Sequence, residues 1–204
     1  MQRLPIPIRR IGRIARPWFP LPESVLLFAF PEIKLGSVRD RYDRSARVGM
    51  PPHVTLIYPF VHPDAIGNQV LQELGDFFGA EGRFRVRLEA IAGFPGVVYL
   101  VPDPRERFVE LINALVRLYP HVPPYGGRFG SVIPHLTLGE SDDPEIQDLL
   151  VASVAGVLPI ESEAADVWLM VRQGRRWKTI ARFALASSGD ARRANRELHE
   201  TVAW

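Results

Sequence analysis

Residues 51–60 read PPHVTLIYPF and residues 133–140 read IPHLTLGE. Each places a proline before a histidine, an aliphatic residue after it, then a threonine and a leucine. The chain has five histidines in all and only four threonines, Thr55, Thr137, Thr179 and Thr201. Aliphatic residues at every second position read as extended backbone, in which alternate side chains share a face and a two-residue step spans roughly 6.5–7 Å. His53 and Thr55 therefore share one face, and Val54 and Leu56 the other. His135 and Thr137 share a face in the same way, with Leu136 and Leu138 behind them.

The pattern around the first phrase repeats around the second, with the two histidines 82 residues apart. Glu23 to Phe30 is a nearly continuous apolar run, read as a buried strand. An Arg-rich stretch to about Val48 is compatible with helix. After the first phrase, Asp64 is placed to cap a helix carrying Ile66, Val70, Leu71, Leu74, Phe77 and Phe78, ending near Gly79. Residues 84–102 alternate apolar and polar around a turn at Phe94-Pro95-Gly96, as in a hairpin. Asp103-Pro104 then opens a helix with Phe108, Leu111, Ile112, Leu115 and Leu118 on one face. A Pro/Gly-rich loop leads to the second phrase, Asp143-Pro144 starts another helix, and strands at 165–172 and 176–186 turn at Gln173-Gly174-Arg175. Both halves read strand, helix, His-Thr strand, helix, strand, strand, which predicts an internal duplication.

Length and composition set the frame. A chain of 204 residues, 47% apolar and 24% charged, buries a sizeable core. It has no cysteine, hence no disulfide, thiol nucleophile or thiolate metal site. No apolar run approaches the roughly 18–20 residues of a membrane span, and a cytoplasmic monomer is the expectation. Five arginines (Arg3, Arg9, Arg10, Arg13, Arg16) and no acid fall in residues 1–22, so the formal charge of +2 becomes −3 for the remainder. The folded part is therefore no basic slab for extended phosphate-backbone binding. Residues 1–22 read as a basic Pro/Arg-rich extension, 23–187 as the two-lobed domain and 188–204 as a polar helical tail.

If the halves pack about a pseudo-twofold axis, two imidazoles and two hydroxyls converge on one cleft. Imidazole titrates near neutrality, so a pair supplies one base and one acid at the same pH. A threonine beside each donates to a non-bridging phosphate oxygen or orients a ring. Straddling a phosphorus, such groups suit in-line displacement without a metal or other cofactor. His62, His121 and His199 lack this context and read as ordinary residues. Tyr58, Tyr125 and Trp177 are candidates to stack a base, Tyr125 as the exposed one; Phe60 and Phe129 are as readily core. Arg128 and Arg175 are candidates for phosphate charge.

HVTL at 53–56 and HLTL at 135–138, each preceded by proline, resemble the paired signatures of the two-histidine (2H) phosphoesterase superfamily, in particular its 2′-5′ RNA ligase-like and cyclic phosphodiesterase branch. The likeness extends to Tyr58-Pro59-Phe60, to PPYGG at 123–127 and to RRWKTIARFAL at 175–185, and covers about residues 23–187. It implies an α+β fold, bilobal, with two antiparallel sheets facing a central cleft and helices outside. It implies metal-independent opening of 2′,3′-cyclic phosphates on RNA ends or nucleotides, or cleavage or ligation of 2′-5′ linkages. His53 and His135 would be the acid–base pair, His135 the base and His53 the acid unless substrate binds in reverse, and Thr55 and Thr137 the phosphate ligands. Relatives often follow the second motif with a small residue and an arginine, where this chain has Gly139 and Glu140. The alternative is a non-catalytic nucleotide- or RNA-binding module using the same anion cleft.

Overall fold

The computed structural model describes residues 23–128 and 132–187. The basic extension, the C-terminal tail with His199, and Phe129 lie outside the described residues.

Eight strands form the framework: β1 (Ser24–Ala29), β2 (His53–Ile57), β3 (Phe84–Phe94), β4 (Val97–Asp103), β5 (Leu136–Glu140), β6 (Ile160–Ala164), β7 (Asp166–Gln173) and β8 (Arg176–Ala184). Between them lie α1 (Gly36–Tyr42), the single turn α2 (Arg44–Arg47), α3 (Asn68–Gly79), α4 (Arg105–Leu118) and α5 (Pro144–Ala155). The sequence predicts two sheets, but the strands form one antiparallel sheet in the order β6-β3-β4-β5-β2-β1-β7-β8. The join is narrow, with Val54 opposite Leu136 as the registered pair between β2 and β5. Without it each motif strand would present an unpaired edge inside the molecule, which buried backbone groups do not tolerate.

The strands on either side of the join are not the two consecutive halves of the chain. Strand β3 follows the first motif, yet it bonds to β4 and β6 on the side of the second. Strands β7 and β8 return to β1 on the side of the first. The hairpin decides this, because its turn keeps β3 beside β4. There Gly96 holds φ +74°, and a Cβ would stand 2.7 Å from Asp142 Oδ1.

Local chemistry explains most elements. β1 (SVLLFA) is buried throughout, as a central strand covered on both faces must be. Leu26 and Phe28 enter the main core with Val54, Leu56, Leu136 and Leu138. Val25, Leu27 and Ala29 face the other way, with Met50, Trp168, Met170 and Trp177. Helix α4 buries Phe108, Leu111, Ile112 and Leu115, and the Phe108 ring meets Phe28 edge-on at 5.5 Å. Asp143 caps α5 by accepting from the Glu145 N–H at 3.0 Å.

Three expectations fail here, the first being Leu118, read on the inward face of α4 but exposed. Asp64 lies inside a 3₁₀ turn capped by His62, and α3 begins only after Gly67, whose extended backbone interrupts the helical run. Strand β6 is absent from the sequence-based elements, because IESEA has little apolar content. It is an outer strand whose pairing with β3, rather than its own composition, makes it extended.

Candidate functional site

The site occupies the sheet face opposite the main helix-packed core, on both sides of the β2–β5 join. Val54 opposite Leu136 sets an antiparallel register. Continued by one residue each way, it brings His53 opposite Thr137 and Thr55 opposite His135. Facing residues of such a pair lie about 4.5–5.5 Å apart and diagonal ones about 7–8 Å. On that register the four polar side chains would stand at the corners of a small quadrilateral, each histidine beside the other motif's threonine. All four are half-buried, while Val54, Leu56, Leu136 and Leu138 are buried beneath them.

Both imidazoles are fixed in the same way. His53 Nδ1 lies 2.8 Å from the Pro51 carbonyl oxygen, and His135 Nδ1 lies 2.7 Å from that of Ile133, two residues back in each case. A carbonyl only accepts, so Nδ1 carries the proton and the neutral ring presents a lone pair at Nε2. Among the described residues no hydrogen bond engages either Nε2. Burial lowers both rings below the ordinary value of 6.5. For His53 the Pro51 bond and Asp43 oppose the shift, whereas Arg39 and His135 add to it. For His135 the Ile133 bond alone opposes it.

A bulge follows each motif at the equivalent place. Leu27 stands opposite Thr55 but Leu26 opposite Ile57; Tyr99 stands opposite Thr137 but Val98 opposite Gly139. In each strand one extra residue, Leu56 or Leu138, is absorbed, and the residue five beyond the histidine turns back to the site face. These residues are Tyr58 and Glu140, and both line one cavity of about 680 Å³ with His53 and Thr55, whereas His135 and Thr137 are not among its lining residues. That volume lies within the roughly 300–1,000 Å³ of small-molecule sites.

The aromatic candidates meet in this cavity. Tyr58 contacts Trp177 edge-on at 6.1 Å, and the Tyr125 N–H donates to the Tyr58 carbonyl at 2.6 Å. Tyr125 is half-buried, not exposed as its Pro-Pro-Tyr-Gly-Gly context suggests, and burial raises its hydroxyl above the ordinary value. It also holds φ 53°, which non-glycine residues adopt only when their surroundings impose it. Trp177 is buried, leaving Tyr58 and Tyr125 as the more open rings. Phe60 belongs to the main core, edge-on to Tyr119.

The charged lining differs from the expectation. Arg128 and Arg175 are exposed and are not among the cavity's lining residues, whereas Arg44, Arg47 and Arg172 are. Arg44 Nε pairs with Glu140 at 3.0 Å and Arg172 pairs with Glu23 at 3.5 Å. Among the described residues Arg47 has no carboxylate at ion-pair distance, which leaves its guanidinium for an anion. The Val48 carbonyl beside it is pinned by the Trp177 N–H at 2.8 Å. Glu140 is raised by burial, with Asp43 adding and Arg44 and Arg47 opposing.

Sequence reasoning missed the surroundings of both histidines. Phe94 and Tyr99 each lie 5.2 Å from the His135 ring, at interplanar angles of 87° and 57°. Arg39 and Asp43, in the stretch read simply as polar, form a buried ion pair of 2.7 Å behind His53. Only strand register could have revealed Tyr99, which lies opposite Thr137. The i, i+4 spacing of Arg39 and Asp43 was visible, but their burial was not.

Comparison with known proteins agrees with this architecture. The family model of the 2′-5′ RNA ligase superfamily matches residues 29–176. A Bacillus pumilus (strain SAFR-032) protein named "Putative phosphoesterase" is 30% identical over 129 residues, which span 59% of this chain and 72% of that one. Among solved structures, TT0787 of Thermus thermophilus superposes with a TM-score of 0.55 at 16% identity, over 81% of this chain and 99% of that one. A structure described as a phosphoesterase gives 0.51 at 15% identity, over 82% and 99%. At these identities the two structures establish a shared fold.

Proposed function

We propose that this chain, which belongs to the 2′-5′ RNA ligase superfamily of two-histidine phosphoesterases, opens 2′,3′-cyclic phosphates on RNA ends or nucleotides by acid–base catalysis between His53 and His135. One observation carries the proposal. Two imidazoles on one face of the β2–β5 join are both held through Nδ1, and both leave Nε2 unengaged among the described residues. A nucleotide- or RNA-binding module has no need of two titratable rings fixed alike.

In the proposed reaction a water oxygen attacks phosphorus while His135 Nε2 takes its proton. The bond from phosphorus to one ribose oxygen breaks on the far side, and protonated His53 gives its Nε2 proton to that oxygen. The products are a phosphate monoester and a free hydroxyl, with the two histidines in exchanged protonation states. Thr55 and Thr137, each beside the opposite histidine, donate to the non-bridging oxygens. Arg47 supplies positive charge at the cavity wall, the role expected of Arg128 or Arg175. Tyr58 and Tyr125, which line the cavity, are the residues proposed to stack the base.

The test is incubation of the purified chain with 2′,3′-cyclic AMP, resolving 2′-AMP from 3′-AMP in the product. Turnover yielding one regioisomer supports the reading. Binding of the nucleotide without turnover at any pH between about 5 and 8 favours the binding module.

A further inference from the structure

The histidines are suspended alike but backed differently. Behind His135 stand the Phe94 and Tyr99 rings. Among the described residues, no cation donates to the Ile133 carbonyl that holds it. Behind His53 stands a buried ion pair, with Arg39 5% and Asp43 1% exposed. Arg39 Nη2 lies 2.7 Å from Asp43 Oδ2 and donates to the Pro51 carbonyl at 3.0 Å, while Nη1 donates to the Met50 carbonyl at 3.3 Å. The Pro51 oxygen therefore accepts from both Arg39 and His53 Nδ1.

Asp43 is anchored in turn. It accepts from the Ser45 N–H at 2.7 Å and the Ser45 hydroxyl at 2.8 Å, capping α2. A buried ion pair gains little over apolar residues of equal volume, and this one leaves Arg39 Nε buried without a partner among the described residues. Packing alone gives no reason for charge here. The guanidinium's planar fork instead donates to two consecutive carbonyls from two nitrogens, a fixed geometry that the single nitrogen of lysine does not reproduce.

We propose that Arg39 and Asp43 are positioning residues for His53, an ionic clamp on the Pro51 carbonyl that orients the ring and makes the two histidines chemically unequal. The inference rests on the two-histidine reading above. The charged groups facing His53 are Asp43 and Arg39 from the α1–α2 side and His135 from the residue before β5. The Asp43 carboxylate favours protonated His53, whereas Arg39 and His135 oppose it. Removing the carboxylate therefore weakens proton binding at His53 and leaves His135 as it was.

The test uses full-length Asp43→Asn and Arg39→Lys chains, with NMR titration of both imidazoles in the absence of substrate, and kcat and KM on 2′,3′-cyclic AMP. The clamp predicts that Asp43→Asn moves the His53 titration to lower pH and leaves that of His135 in place. It predicts kcat reduced by about 10- to 100-fold, by analogy with the loss of groups that orient metal-ligating histidines, with KM changed by less than about threefold. Arg39→Lys should lower kcat by less than Asp43→Asn does. A folded Asp43→Asn chain with unmoved titrations and wild-type kcat overturns the proposal, even if its melting temperature falls. So does an equal shift of both histidines. Should Asp43→Asn fail to fold, Arg39→Lys decides, and wild-type titration and kcat there also overturn the clamp. Because the titrations need no turnover, an inactive wild-type chain would defeat the proposed reaction without deciding the clamp, which the titrations then settle alone.

Discussion

Val54 lies opposite Leu136 across the join of the two motif strands, and one step along that antiparallel register on either side sets His53 against Thr137 and Thr55 against His135. On that register each histidine faces the other motif's threonine across the join, while its own lies a two-residue step away along the strand.

This crossing predicts an energetic pattern. In double-mutant cycles on kcat/KM, His53→Ala with Thr137→Ala should show a coupling of about 0.5–3 kcal/mol, the range for residues in contact. His53→Ala with Thr55→Ala should couple less. Equal couplings would mean that the motifs act as separate units.

The pH dependence follows from the lowered imidazoles. For the free protein, the base limb and the acid limb of kcat/KM both derive from groups below 6.5, so the bell should centre below pH 6.5. Bound phosphate favours the protonated rings, so the kcat profile should lie at higher pH than that of kcat/KM. A kcat/KM maximum above pH 7 would contradict this arrangement.

The same shifts bear on stability. Rings whose pKa is lower folded than unfolded bind fewer protons in the native state. Their stabilisation is complete above pH 6.5 and declines as pH falls from there through the folded values. Denaturant midpoints should therefore drop on acidification below pH 6.5, and His53→Gln and His135→Gln should each flatten that slope.

Gly139 tests the second bulge. A Cβ there would stand 2.6 Å from Leu150 Cδ2 and 2.9 Å from Tyr42 Cβ, where β5 passes under α5 and α1. Gly139→Ala should cost about 1–3 kcal/mol of stability, the usual penalty for overpacking. It should also reduce activity by displacing Glu140 and Thr137. An unchanged urea midpoint would show that the helices yield freely.

The histidine mechanism moves both protons without a metal. Turnover of 2′,3′-cyclic AMP should therefore persist after exhaustive dialysis against a chelator. Activity that returned only on adding a divalent ion would demand a different mechanism.

Much of this site is legible in the sequence, since period-two alternation by itself puts His53 with Thr55 and His135 with Thr137 on one face. Hairpin and capping chemistry likewise give β3, β4 and α5. Strand pairing is not legible. It is a contact between distant segments, so the single sheet, the return of β7 and β8 to β1, and β6 all escape a local reading. For the same reason Arg128 and Arg175, adjacent in sequence to loops near the site, took the place of Arg44 and Arg47, which approach it through the fold. Tyr58 and Glu140 reach the cavity because of bulges whose presence depends on partner strands.

The central claim is that His53 and His135 act as one catalytic unit. It is tested most directly by kcat on 2′,3′-cyclic AMP for His53→Ala, His135→Ala and the double variant, each shown to be folded. The account predicts that each single change lowers kcat by about 10²- to 10⁴-fold, and that the double variant is little slower than the worse single. A single variant with the wild-type rate, or a double variant whose loss is the product of the two, would contradict it.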